Sequence, residues 1–156
     1  MITHVKHFKD LTIEELYDIL RLRAEVFVVE QDCPYQDLDG RDRNAWHVWL
    51  EESGKAVACL RVFMFDELHS QIGRVVTSLD VRGKGAGRLI MEEGVKIAEE
   101  HFPDFPILIH AQAYATGFYE KFGFRISSDA FLEDGIPHHE MIRPTHMIEI
   151  NENSND

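Results

Sequence analysis

Apolar residues between Ile2 and Phe8 alternate loosely with polar ones, the period of a strand. The next apolar positions, Ile13, Leu16, Leu20, Ala24 and Phe27, recur at helical spacing, which predicts a helix burying that face. Thr12 stands as its N-cap, Glu15 completes a capping box, and Leu11 can staple to Leu16. From Glu30 to Asn44 no apolar period survives, and Pro34 and Gly40 mark a long loop. Residues 45–52 and 55–65 then read as strands joined at Ser53-Gly54, a two-residue hairpin turn.

A strand over 71–79 runs into a glycine-rich loop, and Gly85 to His101 follows as a helix with Leu89, Ile90, Ile97 and Ala98 towards the core. Gly94 weakens that helix by roughly 1 kcal/mol. Pro103 and Pro106 frame a strand over 107–113, and a short helix over 116–122 stops at Gly123, which takes a C-cap position. Strands follow over 124–128 and near 140–150, separated by a polar turn, and a polar tail at 151–156 is expected to be disordered. This order predicts one α/β (α+β) domain over residues 1–150, built around one mixed sheet.

At 156 residues and 44% hydrophobic, the chain can bury such a core without staples. A net charge of -12 argues against nucleic acid or an anionic membrane as partner and mildly favours a cationic or neutral substrate. Cys33 and Cys59 fit neither a disulfide framework nor a paired metal motif and read as reduced thiols. No signal-peptide pattern and no membrane-length apolar run is found, so a cytoplasmic protein is expected, monomeric or homodimeric.

The loop "DVRGKGAGRLI", Asp80 to Ile90, carries glycine at 83, 85 and 87. A Walker loop is absent, because Gly83-Lys84 runs into Gly85 rather than Ser or Thr. A dinucleotide loop needs glycine at 88, where Arg88 stands, and an acidic residue about 20 positions on. What remains is bare backbone ahead of a helix N-terminus, which suits a pyrophosphate, or else a tight turn that needs positive φ and binds nothing.

Arg82, Gly85 and Gly87 fill the Q/R-x-x-G-x-G/A signature of the GNAT superfamily of N-acetyltransferases, which this chain resembles. Tyr119 to Phe124 resembles the family's Y-x-x-x-G-F segment downstream, and residues 27–42 and 133–141 resemble the ElaA-type subgroup. The resemblance implies a mixed, mostly antiparallel sheet splayed between its fourth and fifth strands and flanked by helices. It implies acetyl-coenzyme A as co-substrate and transfer of the acetyl group to a primary amine, of a small molecule or a peptide. A non-catalytic acyl-coenzyme A-binding module or sensor is the alternative; a thioester hydrolase lacks a G-x-S-x-G elbow.

Under that resemblance the amides of Gly83, Lys84, Gly85, Ala86, Gly87 and Arg88 hold the pyrophosphate, with Arg82, Lys84 and Arg88 adding charge. Val75, Val76 and Thr77 pair with the pantetheine arm and offer an N–H to the thioester carbonyl. Gln112 stands where many members have an asparagine that touches the cofactor. Tyr119 is the expected general acid, since a phenol stays protonated at neutral pH yet can donate to a thiolate; the bland reading is that it only packs. Tyr114 competes on the same segment.

The base is open: His47, His110 and His138 are candidates, each with a packing alternative, and water can serve instead. His47 and His138 are retained as candidate substrate residues. No metal is expected, because His4 and His7 would point to opposite faces of a strand and His138-His139 lacks further ligands. Asp32, Asp37, Asp39 and Asp42 form either a solvated face or the rim of an acceptor pocket that selects a cationic amine.

Overall fold

A computed structural model describes residues 1–145; the end of the expected last strand and the tail at 151–156 lie outside the described residues. The elements are β1 (Ile2–His7), α1 (Ile13–Arg23), β2 (Trp46–Glu52), β3 (Lys55–Met64), β4 (Ser70–Thr77), α2 (Ala86–His101), β5 (Ile107–Gln112), α3 (Thr116–Glu120), β6 (Arg125–Ile126), β7 (Phe131–Glu133) and β8 (Ile136–Arg143). They build one eight-stranded sheet in the order β1-β2-β3-β4-β5-β8-β6, with β7 also on β8. Among the described residues only β4 and β5 are parallel, and they pair at just Ser70↔Ile107 and Gln71↔Leu108 before diverging. The sheet is therefore split over most of that junction.

The local rules that set the elements are visible in the bonds. Glu15 N donates to Thr12 Oγ1 at 3.1 Å and Thr12 N to Glu15 Oε1 at 2.9 Å, closing the capping box. Ser53 and Gly54 both take positive φ, 53° and 77°, as a two-residue turn matched to strand twist requires. Asp134 and Gly135 repeat the device between β7 and β8 at 50° and 78°.

The expected strand at 124–128 shrinks to β6: Ser127 N still donates to the Glu140 carbonyl at 2.9 Å, but Glu140 N donates to Ser128 Oγ at 2.9 Å rather than to the backbone, which ends the ladder. The polar turn that followed it instead contains β7, and β8 starts at Ile136, earlier than expected.

The buried face of α1 also differs from the expected one. Ile19, Leu22, Arg23 and Val26 are buried, whereas Ile13 is 86% exposed and Ala24 is exposed. Beyond Arg23 the chain widens into a π-helical stretch, Ala24–Glu30, which shifts the phase of everything after it. Ile19, Leu22 and Val26 pack with Trp49, Ala56, Cys59 and Val76 in one core cluster, while Ile90, Met91, Ile97 and Ala98 of α2 join a larger cluster with Val48, Leu60, Ile72, Ile107 and Ile109. Leu89, expected in the core, is exposed. Gly94 has a positive reason to be there: a Cβ would lie 2.7 Å from Leu60 Cδ2, so the glycine lets α2 sit down on β3.

In the acidic loop Asp32 stays exposed, but the other three aspartates are ion-paired and form neither a plain solvated face nor a free acceptor rim. Asp37, Asp39 and Asp42 turn inward onto three arginines from three different elements. Arg23 reaches Asp42 at 2.6 Å and Asp37 at 2.9 Å; Arg61 reaches Asp39 at 2.6 Å and Asp42 at 2.9 Å; Arg74 reaches Asp37 at 2.8 Å. Burial alone would push the Asp42 carboxyl up, but hydrogen bonds and charge from Arg23 and Arg61 hold it below the usual range.

His47, a candidate substrate residue, belongs to this network instead. Only 1% exposed, it stands on β2 opposite Arg61, with Nε2 3.0 Å from the Asp42 carbonyl, and burial lowers its pKa. That position fixes the loop and gives the ring no access to the split.

Candidate active site

Where β4 leaves β5, a cavity of about 610 Å³ opens across the split. Its walls come from the π-helical stretch and the residue after it (Phe27, Glu30 and then Gln31), β4 (Ile72 to Val75, and Thr77), β5 (Ile109, His110, Gln112) and the β7–β8 hairpin (Glu133, Asp134, Ile136, His138). A bulge shapes the β4 wall. Pairing steps from Cys59↔Val76 to Arg61↔Gly73, so Arg74 and Val75 together face the single residue Leu60, and Arg74 takes φ 51°. Of the three β4 residues singled out in the sequence, Val75 and Thr77 line the cavity, whereas Val76 turns to the other face and packs against α1.

The glycine loop begins at one end of this cavity, next to Arg82. Gly83 and Gly85 adopt φ 80° and 81°, and Gly85 is the N-cap of α2 with no side chain capping the helix. The first N–H groups of α2 thus lack an intrahelical acceptor, and the helix dipole adds positive potential there. Gly87 faces α3: a Cβ there would come into ordinary contact with the Phe118 ring, at 3.4 Å. Bare amides, an uncapped helix start and the exposed Lys84 suit a pyrophosphate. Arg88, in contrast, is bonded along the helix to Glu92 at 2.8 Å.

Arg82 does not project freely from the loop. It forms a two-pronged pair with Glu30, with Nη2 to Oε2 at 2.6 Å, and the same nitrogen donates to the Thr77 carbonyl at 2.9 Å. The contact ties the glycine loop to the π-helical stretch and occupies the carbonyl at the end of β4. The pair holds the Glu30 carboxyl below its ordinary value and raises the guanidinium.

Tyr119 lines the cavity, edge-on to Phe118 at 5.1 Å, and its hydroxyl makes no hydrogen bond among the described residues. Burial pushes its phenol up to about 12, so it is protonated at neutral pH. Tyr114 also lines the cavity but is 82% exposed. Gln112 is on the same wall, its Nε2 3.4 Å from Gln31 Oε1.

His110 and His138 come together around a residue that pattern reading passed over, Glu133. His110 Nδ1 lies 3.2 Å from Glu133 Oε1, and His138 Nε2 lies 3.4 Å from Oε2. The signal for Glu133 lay in "EDG", read only as a turn.

Among the described residues, no group of three or more His, Cys, Asp or Glu is placed to hold a metal ion, and no helix is long and apolar enough to cross a membrane.

A mostly antiparallel sheet split at one parallel junction, with a glycine loop and helix start at that split, is the architecture of the GNAT fold. The chain belongs to that family: residues 9–143 match the model of the acetyltransferase (GNAT) domain. A UPF0039 protein of Mycobacterium tuberculosis is 44% identical over 143 residues, covering 87% of this chain and 88% of its own. Among solved structures, an acyl-CoA N-acyltransferase from Pseudomonas aeruginosa superposes with a TM-score of 0.87 at 40% identity, over 92% of this chain and 100% of that one. Escherichia coli ElaA gives 0.88 at 36% identity with the same coverage, which places the chain in the ElaA-type subgroup.

Proposed function

We propose that this protein transfers an acetyl group from acetyl-coenzyme A to a primary amine. The observation that carries the reading is the meeting of three features around one cavity: the uncapped start of α2 beyond Arg82 at its end, the bulged edge of β4 freed by the split, and Tyr119, half-buried and protonated.

Acetyl-coenzyme A brings a thioester carbonyl that an amine can attack. The amides at the start of α2, with Lys84, hold the pyrophosphate. The open edge of β4 at Val75 and Thr77 receives the pantetheine amides and presents an N–H to the thioester oxygen, a donor worth about 3 kcal/mol of barrier when preorganised. Arg82 contributes by tethering the loop, and its charge turns to phosphate only when Glu30 releases it. Tyr119 supplies the proton for the departing thiolate. His138 and Gln112 line the same cavity.

Calorimetry with acetyl-coenzyme A, beside an assay of released thiol across an amine panel, tests the reading. Tyr119→Phe is expected to lower kcat by about 10²-fold or more with cofactor affinity unchanged. Absence of cofactor binding, or affinity untouched by Gly85→Glu, refutes it.

A further inference from the structure

The charges lining the cavity do not balance, and the imbalance says what enters. Among the described residues two arginines line it, and both are already matched: Arg74 by Asp37 at 2.8 Å and Arg82 by Glu30. The acidic loop is likewise spent on Arg23 and Arg61. Two carboxylates remain on the far wall, Asp134 at the exposed tip of the β7–β8 hairpin and Glu133, half-buried behind it.

Glu133 is built into place. His110 Nδ1 and His138 Nε2 approach its two oxygens at 3.2 and 3.4 Å. His138 is anchored in turn, its Nδ1 lying 2.7 Å from the Ile136 carbonyl and its ring stacked on Phe131 at 6.1 Å; the His110 ring meets the same Phe131 edge-on at 5.4 Å. The His110 hydrogen bond, more than any other influence, keeps the carboxyl below its ordinary value, so it is ionised. Its side chain retains 42% exposure, enough to meet a ligand.

We propose that Glu133 selects the acceptor: it receives the protonated amino group of a small primary amine that carries no carboxylate, while His110 and His138 fix its two oxygens, and the bound amine gives one proton to solvent water before its freed lone pair attacks the thioester. This rests on the transferase reading of the same cavity. An amino acid would bring a second carboxylate beside Glu133 and Asp134 and find no unmatched arginine to receive it. A neutral isostere would forgo the charge-assisted hydrogen bond. Phe27, Tyr35 and Tyr114 line the cavity as well, so an arylalkyl amine is a fitting probe.

Calorimetric titration of the coenzyme A-loaded protein with phenethylamine, 2-phenylethanol and phenylalanine tests it. The wild type is expected to bind the amine about tenfold or more tightly than either other probe. Glu133→Gln should abolish that preference and Glu133→Asp should retain part of it, both with coenzyme A affinity unchanged. The proposal is overturned if the wild type binds no phenethylamine, shows no preference for it, or keeps the preference in Glu133→Gln. A wild type that binds phenethylamine through Glu133 but not coenzyme A would overturn the transferase reading instead.

Discussion

Replacing Asp42 by asparagine removes one negative charge from the centre of the arginine network while leaving its volume almost unchanged. The Asp42 side chain is 10% exposed, and its partners Arg23 and Arg61 are 1% and 4% exposed, so neither guanidinium can turn to water. Breaking a buried pair from one side costs about 3–5 kcal/mol, because the opposite charge stays behind unmatched. At about 2–4 °C per kcal/mol for a domain of this size, Tm should fall by about 6–20 °C. Thermal unfolding followed by circular dichroism, with urea titration as a second measure, reads the loss.

Asp39→Asn is the graded comparison: its carboxylate is 32% exposed and Arg61 keeps Asp42 when it is lost, so the change should cost less than Asp42→Asn. Acidification gives an independent check. The folded-state carboxyls of Asp39 and Asp42 lie below their ordinary value of 3.8, so their contribution is present above that pH and lost as pH falls through the folded values. Wild-type stability should therefore drop below about pH 4, and Asp42→Asn should drop less. A loss in Asp42→Asn under about 1 kcal/mol at neutral pH would refute the reasoning.

Gly94→Ala sets two effects against each other: helix propensity returns about 1 kcal/mol, while crowding Leu60 costs about 1–3 kcal/mol. A lower Tm is expected, and a higher one would show that α2 does not approach β3 as closely as the 2.7 Å contact requires. Glu30→Gln removes the partner of Arg82 on the glycine loop. Coenzyme A affinity should rise several-fold by calorimetry with Tm little changed, because the pair is largely exposed; weaker binding would mean that Glu30 holds Arg82 ready for phosphate.

Features written in neighbouring residues were legible in the sequence. The Thr12–Glu15 capping box, the Ser53-Gly54 turn and the strand–glycine loop–helix run each depend on a handful of consecutive positions, and each forms. Features assembled from distant residues were not. Asp37, Asp39 and Asp42 look like a solvated run because their partners, Arg23, Arg61 and Arg74, come from a helix and two strands. The face of α1 misleads for the same reason: one of its most buried residues is Arg23, which a count of apolar positions passes over, and the π-helical turn alters the phase after it. His47 has the alternation of a strand residue, yet only the fold reveals that its ring meets the Asp42 carbonyl. Glu133 owes its place to β5 and β8, which bring His110 and His138 to it.

The β7 strand hangs from the sheet by three paired positions, Phe131↔His138, Leu132↔Pro137 and Glu133↔Ile136, and lies off the main strand path. None of Phe131, Leu132 and Glu133 belongs to the buried core clusters. A chain with this arrangement keeps the part that holds the acyl donor and the part proposed to choose the acceptor on separate foundations. Exchanging the hairpin from residue 131 to 136 should therefore be a means of regrafting acceptor choice, with the glycine loop, α2 and the arginine-bound loop carried over intact.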